Sequence, residues 1–102
     1  MSDLNPVLHQ STRLRIMVFL MKSRVAAVTT VRDALRLTDG NLAGHLQRLE
    51  EAGYVLSTRR LRALRFEVQT TITPKGSAAL LDYVRTLREL TSAVDHSLAN
   101  EP

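Results

Sequence analysis

Thr38-Asp39-Gly40-Asn41-Leu42-Ala43-Gly44-His45-Leu46-Gln47-Arg48-Leu49-Glu50-Glu51-Ala52-Gly53 is the stretch on which the fold turns. Thr38 and Asp39 carry oxygens that can accept the unpaired amides of a helix's first turn, and Gly53 tolerates the left-handed backbone that closes a helix. Between them Leu42, Leu46 and Leu49 recur at the spacing that aligns side chains along one face. The spacing predicts a helix over about 39–52, anchored by its leucines. Asn41, Gly44, His45 and Arg48 are then left on its outer or flanking face.

Working outward toward the N-terminus, Thr29 and Thr30 are candidate caps for a short helix, Val31 to Leu37, with an apolar face of Val31, Ala34 and Leu35. The two short helices are joined by a tight turn. From Ser11, Leu14, Met17, Val18 and Met21 follow the period of an amphipathic helix ending near Ser23. Asn5-Pro6 can open a first helix, interrupted by a turn, because Asn caps well and Pro is tolerated at the first helical position.

Past Gly53 the period changes. Tyr54 to Thr58 and Glu67 to Ile72 are rich in β-branched residues and read as two strands of a hairpin, with an arginine-rich tip at Arg59-Arg60-Leu61-Arg62-Ala63-Leu64-Arg65-Phe66. Leu61 and Leu64 are expected to pack on the domain and turn the arginines outward. Thr73-Pro74 caps and begins the longest helix, reaching about Leu98. The order helix, helix, helix, strand, strand, helix predicts a mainly α fold with a small β-hairpin, the plan of a winged helix-turn-helix. One domain is expected over 1–102, with a core over 5–73 and a long helix over 74–98.

Charge is concentrated in one place. The chain of 102 residues has 14 Lys+Arg and 10 Asp+Glu, and the 22 residues from Tyr54 to Lys75 account for the whole net charge of +4. A local basic stripe on a near-neutral domain is the footprint of an element that binds a polyanion, and arginine suits bidentate phosphate contacts and entry into a narrow minor groove. The absence of cysteine excludes disulfides, thiolate metal sites and thiol redox chemistry, and indicates a reducing, cytoplasmic setting. The longest run free of charged residues is nine, Leu4 to Thr12, so no membrane span is expected. The opening Met1-Ser2-Asp3-Leu4-Asn5-Pro6 is unlike an export signal. His9, His45 and His96 are too scattered for a metal site. With no phosphate-cradling glycine loop, no zinc-helix motif and only scattered carboxylates, neither an enzyme nor a cofactor is expected.

The string from Asp39 to Val55, "DGNLAGHLQRLEEAGYV", followed by Thr73-Pro74-Lys75-Gly76, resembles the winged helix-turn-helix transcriptional regulators of the MarR/ArsR-like group, over roughly Asn5 to Leu90. The resemblance implies a dimeric, sequence-specific DNA-binding protein with its third helix in the major groove and its wing on the backbone or minor groove. On the matching positions, Asn41 can pair with adenine and Arg48 with guanine, while Thr38 and the free amides at the helix start can hold a phosphate. His45 can cap or contact phosphate, and Arg59, Arg60, Arg62 and Arg65 form the basic wing. Asn41 has an alternative role as a cap, and Arg48 as a partner of Glu51. The chain departs from its relatives at Ala43-Gly44, where they commonly carry a hydroxyl and a base. Either Gly44 lets the helix sit closer to the groove, or the helix reads bases weakly and the wing and DNA shape carry specificity.

Leu80, Val84, Leu87, Thr91, Val94 and Leu98 are spaced 4, 3, 4, 3, 4, a heptad seam that calls for another helix. A helix from Lys75 to Leu98 is roughly 36 Å long, longer than a domain of this size is thick, so a symmetric homodimer is expected. The leading expectation is a double-stranded-DNA-binding regulator acting as a repressor, with no part given over to recruiting polymerase and its effector undefined. The competing expectation is a winged-helix protein-interaction module that offers its arginines to an acidic partner and binds DNA only non-specifically.

Overall fold

The computed structural model describes residues 3–100. Helix α1 (Ser11–Ser23) leads into a short strand β1 (Val25–Ala27), then α2 (Val28–Leu35), α3 (Asp39–Glu51), β2 (Val55–Arg62), β3 (Arg65–Ile72) and α4 (Pro74–Ala99). The three strands form one antiparallel sheet in the order β1-β3-β2. This is a winged helix-turn-helix with a long C-terminal helix. The third strand is an addition to the expected hairpin: Val25-Ala26-Ala27 is too short and too bland to signal itself, and it is held by pairing with Thr71, Thr70 and Gln69 of β3.

That pairing also moves α2. The helix begins at Val28 directly after β1, so Thr29 and Thr30 lie inside it rather than capping it, and no side chain caps its start. Its end comes at Leu35, before the expected Leu37, because Arg36 adopts the left-handed conformation (φ 56°, ψ 48°) and the Leu37 amide donates to the Arg32 carbonyl at 2.9 Å. Ala34, expected on the apolar face, is exposed. In α1 the buried face is Ile16, Met17 and Leu20, rotated from the expected stripe; Leu14 and Met21 are half-buried and Val18 is exposed. Asn5 caps a turn without starting a helix: its Oδ1 accepts the amides of Val7 at 2.9 Å and Leu8 at 3.3 Å, and α1 starts six residues later.

The core runs from Leu8 through Ile16, Met17 and Leu20 of α1, Val31 of α2 and Leu42, Leu46 and Leu49 of α3 to Val55, Ile72, Leu80 and Tyr83. The leucine face of α3 is thus fully engaged. Its start is capped as expected, the Thr38 Oγ1 accepting the Asn41 amide at 3.1 Å. At its end Gly53 takes φ 79°, and the amides of Gly53 and Tyr54 donate to the carbonyls of Glu50 and Leu49, both at 2.9 Å.

One junction ties this end to the root of α4. The Thr73 hydroxyl donates to the Gly53 carbonyl at 2.6 Å and accepts the Gly76 amide at 2.9 Å, while the Thr73 amide donates to the Tyr54 carbonyl at 3.0 Å. A Cβ on Gly76 would lie 2.2 Å from that same carbonyl oxygen. Only glycine allows the helix to approach so closely. The Thr-Pro-Lys-Gly turn therefore fixes where α4 leaves the domain and, through Tyr54, where the wing begins.

The heptad seam divides along α4. Leu80, Tyr83 and Thr86 are buried, and Val84 and Leu87 are half-buried against the chain's own core; Thr91, Val94 and Leu98 are exposed. Beyond Leu90 the helix projects from the domain with no residue buried. The principal extents, 66 × 25 × 21 Å, record this projection.

Candidate nucleic-acid interface

The outer surface of α3 and the wing formed by β2 and β3 lie on either side of a cleft of about 310 Å³, with Ala43, Gln47 and Glu50 on one wall and Ser57 and Val68 on the other. Opposite the buried leucines the helix presents Gly40, Asn41, Gly44, Gln47, Arg48 and Glu51, all exposed. Gly40 and Gly44 are one turn apart, and a Cβ at either would meet nothing within 4 Å. The centre of the outer face is bare backbone. Arg48 has no carboxylate at ion-pair distance among the described residues, so the alternative pairing with Glu51 does not form.

His45 stands apart from this face. It is half-buried on the flank toward α1, with its Nδ1 3.3 Å from the Arg13 guanidinium, whose Nε donates to the Val7 carbonyl at 2.6 Å. Burial, and then the Arg13 charge, lower the imidazole below its ordinary pKa of 6.5. The ring is neutral at pH 7 and accepts from Arg13, which makes it a link between α1 and α3. At the helix start Asp39 is held by Arg32 at 2.8 Å, and the same guanidinium bonds Asp33 at 2.9 Å. Those bonds raise the Arg32 pKa, and the Arg32 hydrogen bond holds the Asp33 carboxyl below its usual value against the opposing effect of desolvation. Sequence reasoning missed this clamp on α3, because Arg32 lies on the preceding helix.

The arginines of the wing are strand residues, since β2 ends at Arg62 and β3 begins at Arg65, on either side of a two-residue turn. Their register pairs Arg59 with Val68, Arg60 with Glu67, Leu61 with Phe66 and Arg62 with Arg65. Strand alternation puts Arg59, Leu61, Phe66 and Val68 on the face that continues the core, and Arg60, Arg62, Arg65 and Glu67 on the other. The Arg59 guanidinium lies over the Phe66 ring at 4.7 Å, Arg60 donates to Gln69 at 3.3 Å, and Arg62 stands 3.9 Å from Glu67. All four arginines are exposed.

Leu61 and Leu64 do not pack on the domain. They are 63% and 95% exposed, and Phe66 is 68% exposed; an open cleft of about 570 Å³ lies between Ala63, Phe66 and Val68 of the ribbon and Val28-Thr29 of α2. Ala63 and Leu64 form a two-residue turn with φ 48° and 65°. Left-handed backbone at both positions is the requirement of a type I′ hairpin turn, for which Asn-Gly is the favoured pair. Ala and Leu accept it at a cost on the order of 1 kcal/mol each.

Among the described residues no group of His, Cys, Asp and Glu side chains is placed to hold a metal ion, and no helix is long and apolar enough to cross a membrane.

A helix anchored by one face beside a projecting basic hairpin defines a class of DNA-binding fold, and comparison with known proteins agrees. Residues 12–91 match the family model of the winged helix DNA-binding domain, and the chain belongs to that family. It is 28% identical over 89 residues to an uncharacterized protein of Methanocaldococcus jannaschii, covering 87% of this chain and 97% of that one. Among solved structures it is similar to the transcriptional regulator homologue protein from Pyrococcus horikoshii, with 30% identity, a TM-score of 0.83, and coverage of 87% of this chain and 88% of that one. A putative transcriptional regulator from Thermoplasma acidophilum has the same fold, with 20% identity, a TM-score of 0.70, and coverage of 96% and 100%. The resemblance read from residues 39–55 and 73–76 to winged-helix transcriptional regulators is borne out by these matches.

Proposed function

We propose that the protein is a homodimeric, sequence-specific transcriptional regulator of the cytoplasm, with α3 entering the major groove and the wing following the backbone into the adjacent minor groove. The observation that carries this reading is the exposed, arginine-lined hairpin standing beside the outer face of α3. Asn41 and Arg48 supply the base-reading side chains, Thr38 and the amides at the start of α3 a phosphate seat, and Arg59, Arg60, Arg62 and Arg65 the main electrostatic attraction. Gly44 lets the backbone come close. His45 contributes by holding α3 against α1. Repression is the mode that needs only occupancy of the site.

The dimer forms through the exposed distal part of α4, where Thr91, Val94 and Leu98 continue a seam whose proximal members Leu80, Val84 and Leu87 are already partly used by the core. A two-fold axis there presents two α3 helices about 34 Å apart, on one face of DNA. Because Leu87 packs on its own domain, its replacement would disturb the protomer; Val94→Asp with Leu98→Asp tests the dimer without touching the core. The double variant is expected to sediment as a folded monomer and to lose most of its affinity for a symmetric site. A variant that stays dimeric overturns the seam.

Selection of bound fragments from random-sequence DNA, followed by titration of the best duplex against a scrambled one at several salt concentrations, tests the main reading. A two-fold-symmetric motif bound at least about 10³ tighter than scrambled DNA is expected. Equal binding of all duplexes that vanishes with salt would leave only phosphate attraction. The bare centre of α3 favours that second outcome, in which the wing offers its charge to an acidic protein partner.

A further inference from the structure

Three features at the end of the wing are each unfavourable in the isolated chain, and they coincide. Leu64 is 95% exposed, Ala63 and Leu64 both hold left-handed backbone without being glycine or asparagine, and Arg62 faces Arg65 in the last register pair, like charge opposite like charge. An Asn-Gly turn would remove the first two features, so their retention calls for an occupant. It must be anionic, to receive Arg62 and Arg65 from one face of the ribbon, and apolar at the tip, to receive Leu64. It must also be concave, because the tip is a convex two-residue turn. A minor groove, walled by phosphates and offering apolar base faces where a step opens, meets these conditions once the wedge widens it from its resting width of about 6 Å.

Resting on the DNA-binding reading above, we propose that the wing is a wedge: Leu64 inserts between two base pairs from the minor groove and partly unstacks them, while Arg62 and Arg65 bind phosphates along the groove. Leu61 and Phe66, paired one step back and exposed on the same ribbon, cover the opened step, with Arg59 held over the Phe66 ring. Site choice then includes how readily a step opens. Flexible pyrimidine–purine steps such as TA and CA are preferred under the wing.

The test uses the full chain and the duplex selected above, rebuilt with 2-aminopurine at single positions, since this base brightens when it loses its stacking neighbour. Binding is measured separately by anisotropy of an end label. Ala63→Asn with Leu64→Gly is the informative variant, because it installs the preferred turn and is expected to raise the thermal midpoint. Wild-type protein should brighten the probe at one step on each side of the motif. The double variant should abolish the signal, bind the selected duplex about tenfold more weakly, which corresponds to about 1.4 kcal/mol, and hold scrambled DNA within about twofold of wild type because the arginines remain. Tight binding of the selected duplex with no bright step, or equal affinity of wild type and variant, overturns the wedge and leaves the DNA reading standing. Failure to find any duplex preferred over scrambled DNA overturns both.

Discussion

The two exposed elements that flank the cleft, α3 and the wing, are opposites. The helix carries Asp39, Glu50 and Glu51 against Arg48, a net charge of −2, and the middle of its outer face is the backbone of Gly40 and Gly44. The hairpin carries four arginines against Glu67, a net charge of +3, and crowds its tip with leucine and phenylalanine. Long-range attraction to a polyanion therefore comes from the wing. The helix contributes shape, the positive end of its dipole, which lies at Asp39 where Arg32 neutralises the carboxylate, and a few side chains. On the DNA-binding reading proposed above, the division of labour is that α3 fits and the wing grips.

The largest effect should come from removing the grip. Replacing Arg59, Arg60, Arg62 and Arg65 together with Ala is expected to weaken duplex binding by more than about a hundredfold at low salt, and to flatten the salt dependence by three to four units of slope, since each phosphate contact contributes about 0.9. Arg48→Ala should cost about tenfold, with a slope change no greater than one, and act mainly on the selected sequence. Equal slopes for the two variants would break the comparison. Titrations at four or five salt concentrations decide it.

Gly44→Ala sharpens it. The added methyl meets open space, and alanine is the better helix former by about 1 kcal/mol, so the thermal midpoint should rise by several degrees. If the bare backbone is what fits the groove, affinity for the selected duplex falls several-fold while scrambled DNA is bound as before. Unchanged selected-site affinity would mean that α3 does not approach closely there.

The smallest effect concerns His45, which links α3 to Arg13 of α1 rather than standing on the outer face. Its pKa is lowered in the folded protein, so the folded state binds fewer protons than the unfolded chain, and its stabilising contribution is complete above about pH 6.5 and lost as pH falls through and below that value. Urea unfolding at pH 7.5 and 5.0 should show the native protein losing stability on acidification. His45→Gln, which keeps an acceptor for Arg13 but cannot titrate, should lose less. An equal loss in both would assign the pH dependence to other groups.

Local physics made most of the fold legible. The start and end of α3, its leucine face, the end of α1 and the Thr73-Pro74 start of α4 depend on caps and periods within a few residues, and the structure reproduces them. Where the expectation failed, a distant partner intervened. Strand β1 exists because β3 passes beside it, and its formation pulled the start of α2 forward to Val28. The rotation of the buried face of α1 toward Ile16 and Leu20 reflects its packing between α2, α3, α4 and the sheet, neighbours that no single helical period can anticipate.

The candidate site divides in the same way. That residues 59–65 are basic and that Asn41, Gly44 and Arg48 escape the leucine face are facts of composition and spacing, and they could be read without coordinates. What only the tertiary structure decided is orientation: that the arginines sit on paired strands, that Leu61, Leu64 and Phe66 stay exposed, that His45 turns toward Arg13 and that Arg32 clamps Asp39. Caps and periods act over one or two turns of chain, whereas exposure and partnership depend on which distant segment arrives at the same place in space.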